Sequence, residues 1–284
     1  MATTDQLYSL QARTNEIWNR VKAGSMTIET ALAGIQAILN GDFPKYESSR
    51  LDDYLPVFTA QQMLLTEYFD KFASTLGLSN KQVKQIADKL KSIGTRYTDL
   101  PNNRTIDNCG GLFFLWLGDL HTTFKFYSLM VEDRQKQAGG ANENWYGTDF
   151  AKLRMEFDKT AYQYPDEPGV YLVDGLSLVD NWDPQNGPSV DKARFNASEK
   201  SNYYLASLEA LALYAVADPE LYRAQDGEKL PYYDMAGIKA GDFLDYAPYS
   251  HWLADSRQVH FLYYRTGFVN CRYARPSFRG VKAL

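Results

Sequence analysis

Residues 72–94 read FASTLGLSNKQVKQIADKLKSIG. Ala73, Gly77 four positions on and the β-branched Val83 six beyond that have the spacing of a helix-turn-helix, whose second helix can lie in a DNA groove. The same spacing serves any two short helices packed at a tight turn. Ser79 suits the N-cap of the second helix. Val83, Ile86, Leu90 and Ile93 then share one apolar face, which leaves Asn80, Lys81, Lys84 and Gln85 pointing outward. Lysine neutralises phosphate, and Asn and Gln can read adenine edges. A lysine-bearing helix face is also ordinary solvated surface.

Working outward, 59–76 forms the preceding helix through Leu65, Tyr68, Phe69, Phe72 and Leu76. Residues 43–57 read as a linker, with Pro44, Pro56 and the Asp52-Asp53 pair. Before it, Leu7, Leu10, Ile17, Trp18 and Val21 repeat at helical spacing over 5–23, and Gly24 stops that helix. A second helix, capped by Thr27 and ended by Gly41, carries Ile28, Ala31, Leu32, Ile35, Ile38 and Leu39 on one side. The first third of the chain is thus expected to be two helical hairpins in series.

Beyond Gly94 the pattern changes. Residues 96–108 are a polar loop, and 111–118 (GLFFLWLG) are a buried strand or the start of a buried helix. Residues 119–131 favour helix and 135–147 a loop. A strand is expected at 169–173, with 176–179 as its hairpin partner across Asp174-Gly175. Residues 198–216 are expected to be one helix, with Tyr204, Leu205, Leu208, Leu211, Ala212 and Ala215 as its stripe. Strands at 258–264 and 268–275 are expected to meet at Arg265-Thr266-Gly267, with Pro276 closing the second. The reading is α+β: N-terminal helical hairpins, then a mixed α/β portion with a C-terminal antiparallel β-hairpin. The segments are 1–42, 57–95 and 105–284.

The 284 residues are 45% hydrophobic and 23% charged, ordinary globular usage that can bury a full core. Tyrosine is abundant, with 21 copies, and suits half-buried and interface positions. Charge is uneven: residues 1–131 balance 13 acids against 13 bases, 132–256 carry 22 acids and 11 bases, and 257–284 carry six bases and no acid. A basic end can mark a nucleic-acid contact or can pair with the acidic middle. Cys109 and Cys271 are too sparse for a disulfide framework or a zinc site, and are expected as free thiols. The start lacks a basic n-region and an apolar h-region, and the apolar run 112–117 is too short for a bilayer. A cytoplasmic location with no membrane contact is therefore expected.

Two further sets of residues bear on chemistry. At the C-terminal end Arg265, Arg272 and Arg275 interleave with Phe261, Tyr263, Tyr264, Phe268 and Tyr273, a combination that can stack and neutralise single-stranded nucleic acid. The histidines are His121, His251 and His260; Asp119 lies two residues before His121, spacing that shares a face on a strand but not on a helix. HExxH, GxSxG, Walker and GxGxxG patterns are absent, and Asp180, Asp183 and Asp191 fail the EF-hand pattern. No metal and no cofactor are expected. The best reading is a non-catalytic binding or interaction protein, with a protein as the partner. One alternative is a DNA-binding regulator using 72–94, with DNA or RNA as the partner. Another is an enzyme with a site near His121 and His260.

Residues 20–43 (RVKAGSMTIETALAGIQAILNGDF), with Leu230-Pro231, Ala236-Gly237 and Ala274-Arg275-Pro276, resemble uncharacterised proteins of candidate phyla radiation bacteria. The resemblance implies a soluble bacterial protein and brings no activity, ligand or catalytic residue.

Overall fold

The computed structural model describes residues 56, 58–93, 111–174, 189–199, 204–223, 232–253, 255–267, 273–274 and 276–284. The chain divides into two units, Met1–Ser48 and Ser49–Leu284, and every described residue belongs to the second. The helical hairpin expected within 1–42, both cysteines and Arg272 lie outside the described residues.

The helical pair is present. Helix α1 spans Phe58–Phe72 and continues as a 3₁₀ turn, Ala73–Thr75; helix α2 spans Asn80–Ile93. Gly77 turns the chain between them at φ +74°, a region glycine enters without a Cβ penalty. Ser79 and Gln82 form a reciprocal N-terminal cap: the Gln82 amide N–H donates to Ser79 Oγ, and the Ser79 amide N–H donates to Gln82 Oε1. Leu65, Tyr68 and Phe69 of α1 and Ile86, Leu90 and Ile93 of α2 are buried in one continuous core with the elements that follow.

Residues 112–116 resolve as strand β1 (Leu112–Trp116), every side chain buried. Gly118 follows at φ +96°, where a Cβ would lie 2.7 Å from the Asp166 carbonyl oxygen, so only glycine fits there. Helix α3 (Leu120–Gln137) starts at once, with Thr122 N–H donating to the Asp119 carboxylate at 2.8 Å. It runs past 135 because Phe126, Tyr127, Met130, Val131 and Gln135 keep its buried face going.

Twelve strands are described. After β1 come β2 (Trp145–Tyr146), β3 (Met155–Phe157) and β4 (Gly169–Asp174), then β5 (Tyr204–Leu205), β6 (Tyr232–Asp234), β7 (Ile238–Ala240), β8 (Tyr246–Leu253) and β9 (Gln258–Arg265). The last three are β10 (Tyr273–Ala274), β11 (Ser277–Phe278) and β12 (Gly280–Ala283). With the helices they make an α+β fold. Strand β4 is the centre of a sheet ordered β1-β4-β12, antiparallel on both sides. Its expected partner, 176–179, lies outside the described residues, and both its edges are occupied by β1 and β12. The free edge of β1 is sealed by side chains: Phe113, Leu115 and Leu117 N–H groups donate to Gln61 Oε1, the Tyr127 hydroxyl and Thr123 Oγ1 at 2.9, 2.7 and 3.0 Å.

The single helix expected over 198–216 is divided. Helix α4 (Val190–Glu199) takes only its first two residues, Tyr204 and Leu205 pair with β11 as a strand, and the remaining helix is α5 (Glu209–Val216). All eight residues of α5 are buried, so it has no polar face to set a boundary. The C-terminal antiparallel hairpin is present with a different first strand. Strand β9 pairs along its whole length with β8, which precedes it, and β10 instead runs parallel to β6.

Candidate binding face

Strands β8 and β9 are fully in register, so directly opposed residues share a face. Trp252, Val259 and Phe261 turn inward, where Phe261 meets Phe124 of α3 with ring centroids 5.4 Å apart. The opposite face receives Tyr249 and His251 from β8 and His260, Leu262 and Tyr264 from β9. On one side β2 runs parallel to β9 with Trp145 opposite His260. On the other, β6 pairs with β8, placing Asp234 opposite Tyr249 and Tyr232 beside His251.

The result is a row of four rings from four adjacent strands. Centroids are separated by 4.8 Å from Trp145 to His260, 5.1 Å from His260 to His251 and 4.2 Å from His251 to Tyr232. Tyr249 broadens the row, stacking on Tyr232 at 5.9 Å and on His251 at 5.8 Å. Trp145 is 43% exposed, whereas Tyr232, His260, Leu262 and Tyr264 are half-buried and His251 is 7% exposed.

Both ends of the face are fixed. Gln258 Nε2 donates to the Glu143 carbonyl at 2.7 Å and Gly147 N–H to the Phe261 carbonyl at 2.8 Å, which ties the chain around Trp145 to β9. Farther along the sheet, α4 lays Val190, Ala193 and Ala197 over Ala236 and Ala247, with Tyr264 against them. Arg194 anchors that helix by donating to the Ala236 and Ile238 carbonyls at 2.9 and 2.5 Å. The Tyr264 hydroxyl donates to Asp234 Oδ2 at 2.7 Å.

The histidines are the unsettled part of this face. Nδ1 of His251 and Nε2 of His260 are buried and have no hydrogen-bond partner. Burial, with the neighbouring His260 second, pushes His251 down from 6.5 to about 4; burial also lowers His260. His251 is therefore neutral at pH 7, with one ring nitrogen carrying a lone pair. The facing residues of β2, β6, β8 and β9 include no lysine or arginine. Such a face favours uncharged, flat groups over polyanions, which need cations against their phosphates.

The residues singled out from sequence fall in separate places. Asn80, Lys81, Lys84 and Gln85 are together on α2 and all exposed. Arg265 ends β9 opposite Tyr246, on the sheet face away from His260. His121 is exposed on α3, its Nε2 2.9 Å from the Leu153 carbonyl oxygen. It is on the helix that packs on the inner side of the sheet, so the structure pairs His260 with His251 instead. Asp119 is the cap of α3 rather than an imidazole partner. Trp145, Tyr232, Tyr249 and the His251–His260 pairing were missed; the available signal was the alternation of Tyr249, His251, His260, Leu262 and Tyr264 in two neighbouring segments.

A second buried polar cluster surrounds Glu209 at the start of α5. Its carboxylate accepts from the Tyr164 hydroxyl and from both the amide and hydroxyl of Ser207 at 2.6 Å. Burial raises its pKa. Both its oxygens accept hydrogen bonds from neighbouring residues, so this cluster anchors the start of α5. Among the described residues no group of three or more His, Cys, Asp or Glu could hold a metal ion, and no helix is long and apolar enough to cross a membrane. Comparisons of the chain with family models, curated proteins and solved structures find no match.

Proposed function

We propose that this chain is a non-catalytic binding protein whose ligand presents a flat, uncharged heteroaromatic ring to the Trp145–His260–His251–Tyr232 row. The observation that carries the reading is the row itself, four rings contributed by four strands with neighbouring centroids 4.2–5.1 Å apart. Aromatic faces at such separations contribute about 0.5–1.5 kcal/mol per pair beyond area burial. The half-buried Tyr232 and His260 and the exposed Trp145 leave ring surface for a further stack. The test is a fluorescence titration with uncharged heteroaromatics such as adenosine and indole. Saturable quenching is expected in the parent chain and a loss of at least tenfold in affinity in Trp145→Ala. Equal binding by parent and variant would remove the row from the account.

A second reading rests on α2. Asn80, Lys81, Lys84 and Gln85 project together from a helix whose other face is buried. If that face meets DNA, anisotropy with a labelled duplex falls steeply with salt, and the Lys81→Ala/Lys84→Ala variant loses about two phosphate contacts' worth of salt slope. Absence of binding at low salt would leave α2 as solvated surface.

A further inference from the structure

We propose that His251 and His260 together form a two-imidazole chelating site for a divalent late first-row metal ion, with the remaining coordination positions open to water or to an incoming ligand. His251 and His260 are directly opposed on adjacent antiparallel strands, where Cβ atoms lie about 4.5–5.5 Å apart and side chains leave the sheet in parallel. That arrangement aims two rings at one volume without any change in the backbone.

The ring spacing agrees with shared coordination. An ion bound at roughly 2.0–2.1 Å to an imidazole nitrogen lies about 3.2 Å from the ring centroid, so two rings at a tetrahedral angle have centroids about 5.2 Å apart. The observed separation is 5.1 Å, with the ring planes inclined at 53°. Face-to-face packing of the two rings would bring the planes close to parallel, and the observed inclination is not of that kind.

The third observation is the missing partners. One nitrogen on each ring, Nδ1 of His251 and Nε2 of His260, is buried without a hydrogen bond. Buried polar atoms in folded proteins are nearly always satisfied, so an orphan on each of two neighbouring rings needs an explanation, and a shared ion would satisfy both. Metal-ligating nitrogens must be unprotonated, and a neutral imidazole has one such nitrogen. Imidazole donors suit Zn²⁺, Cu²⁺ and Ni²⁺. Two protein ligands leave a site weaker than a closed structural one, and the half-buried His260 leaves its outer side accessible.

The inference does not depend on the heteroaromatic ligand, because its probe is the ion alone. Full-length chain without a polyhistidine tag is titrated with Zn²⁺ by calorimetry, alongside His251→Ala, His260→Gln, the double variant and His121→Ala. His121 is exposed and on another element, so His121→Ala is expected to bind as the parent does. Either substitution at the pair is expected to weaken one Zn²⁺ equivalent at least tenfold. Far-UV circular dichroism of the metal-free variants checks folding, and His260→Gln, at the more exposed position, tests the site even if His251→Ala does not fold. A second readout is the imidazole ¹⁵N spectrum, in which Zn²⁺ is expected to shift the ring nitrogens of His251 and His260 and leave His121 unmoved. Zn²⁺ binding that persists unchanged in His260→Gln, or ring nitrogens of the pair that do not respond to Zn²⁺, would overturn the proposal.

Discussion

His251 concentrates the consequences of this fold in one side chain. It is nearly buried, opposed by a second histidine and covered by Tyr232, so charging it is costly. Its folded pKa of about 4 lies below the 6.5 of an unperturbed imidazole. Between those values the unfolded chain binds more protons than the folded one, so stability rises with pH across that window. The contribution is complete above 6.5 and is lost as pH falls towards 4. The parent chain is expected to lose about 2 kcal/mol from this group between pH 7 and pH 5. Urea denaturation at the two pH values, in the parent and in His251→Gln, checks this: the variant should lack that share of the difference. An identical pH dependence in both chains would mean that His251 is not held neutral by its surroundings.

At the scale of elements, edges and buried faces explain what the sequence pattern could and could not reveal. Helices α1, α2 and α3 keep a polar side, and their 3.6-residue period was readable. Helix α5 has none, and its hydrophobic stripe ran on into Tyr204 and Leu205, which a non-local partner, β11, holds as a strand. The β8–β9 connection carries no Asn-Gly or Asp-Gly signal because its left-handed position is filled by Arg257 at φ +49°. Arg257 is held there by donation to the Ala138 carbonyl at 2.8 Å. Pro248 also lies inside β8, where proline is disfavoured because it donates no ladder hydrogen bond. The edge of β1 gives the element-level prediction. Gln61 is fully buried and accepts the Phe113 N–H. Gln61→Met keeps similar volume and orphans that donor, which should cost about 1–3 kcal/mol, read as a lowered urea midpoint at unchanged m-value. A neutral substitution would show that the edge is not sealed as described.

Across the whole Ser49–Leu284 unit, the candidate face exists because β2, distant in sequence, joins β9 at the edge of the sheet that β6, β8 and β9 form. No local spacing announces Trp145 or Tyr232, whereas the alternation around His251 and His260 in β8 and β9 is a short-range signal. Sequence alone exposed the tyrosine abundance and the outward row of α2, which are short-range properties. The ring row, the orphan imidazole nitrogens and the absence of lysine and arginine on these strands' outer face emerge only from pairing. Ligand binding at this face underlies the proposed function. Its most direct test is a ¹H–¹⁵N and aromatic ¹H–¹³C spectrum of the labelled chain titrated with the tightest-binding uncharged heteroaromatic. Shifts are expected to concentrate on Trp145, Tyr232, Tyr249, His251 and His260 and to saturate together with one dissociation constant. Shifts confined to α2, or scattered without saturation, would contradict it.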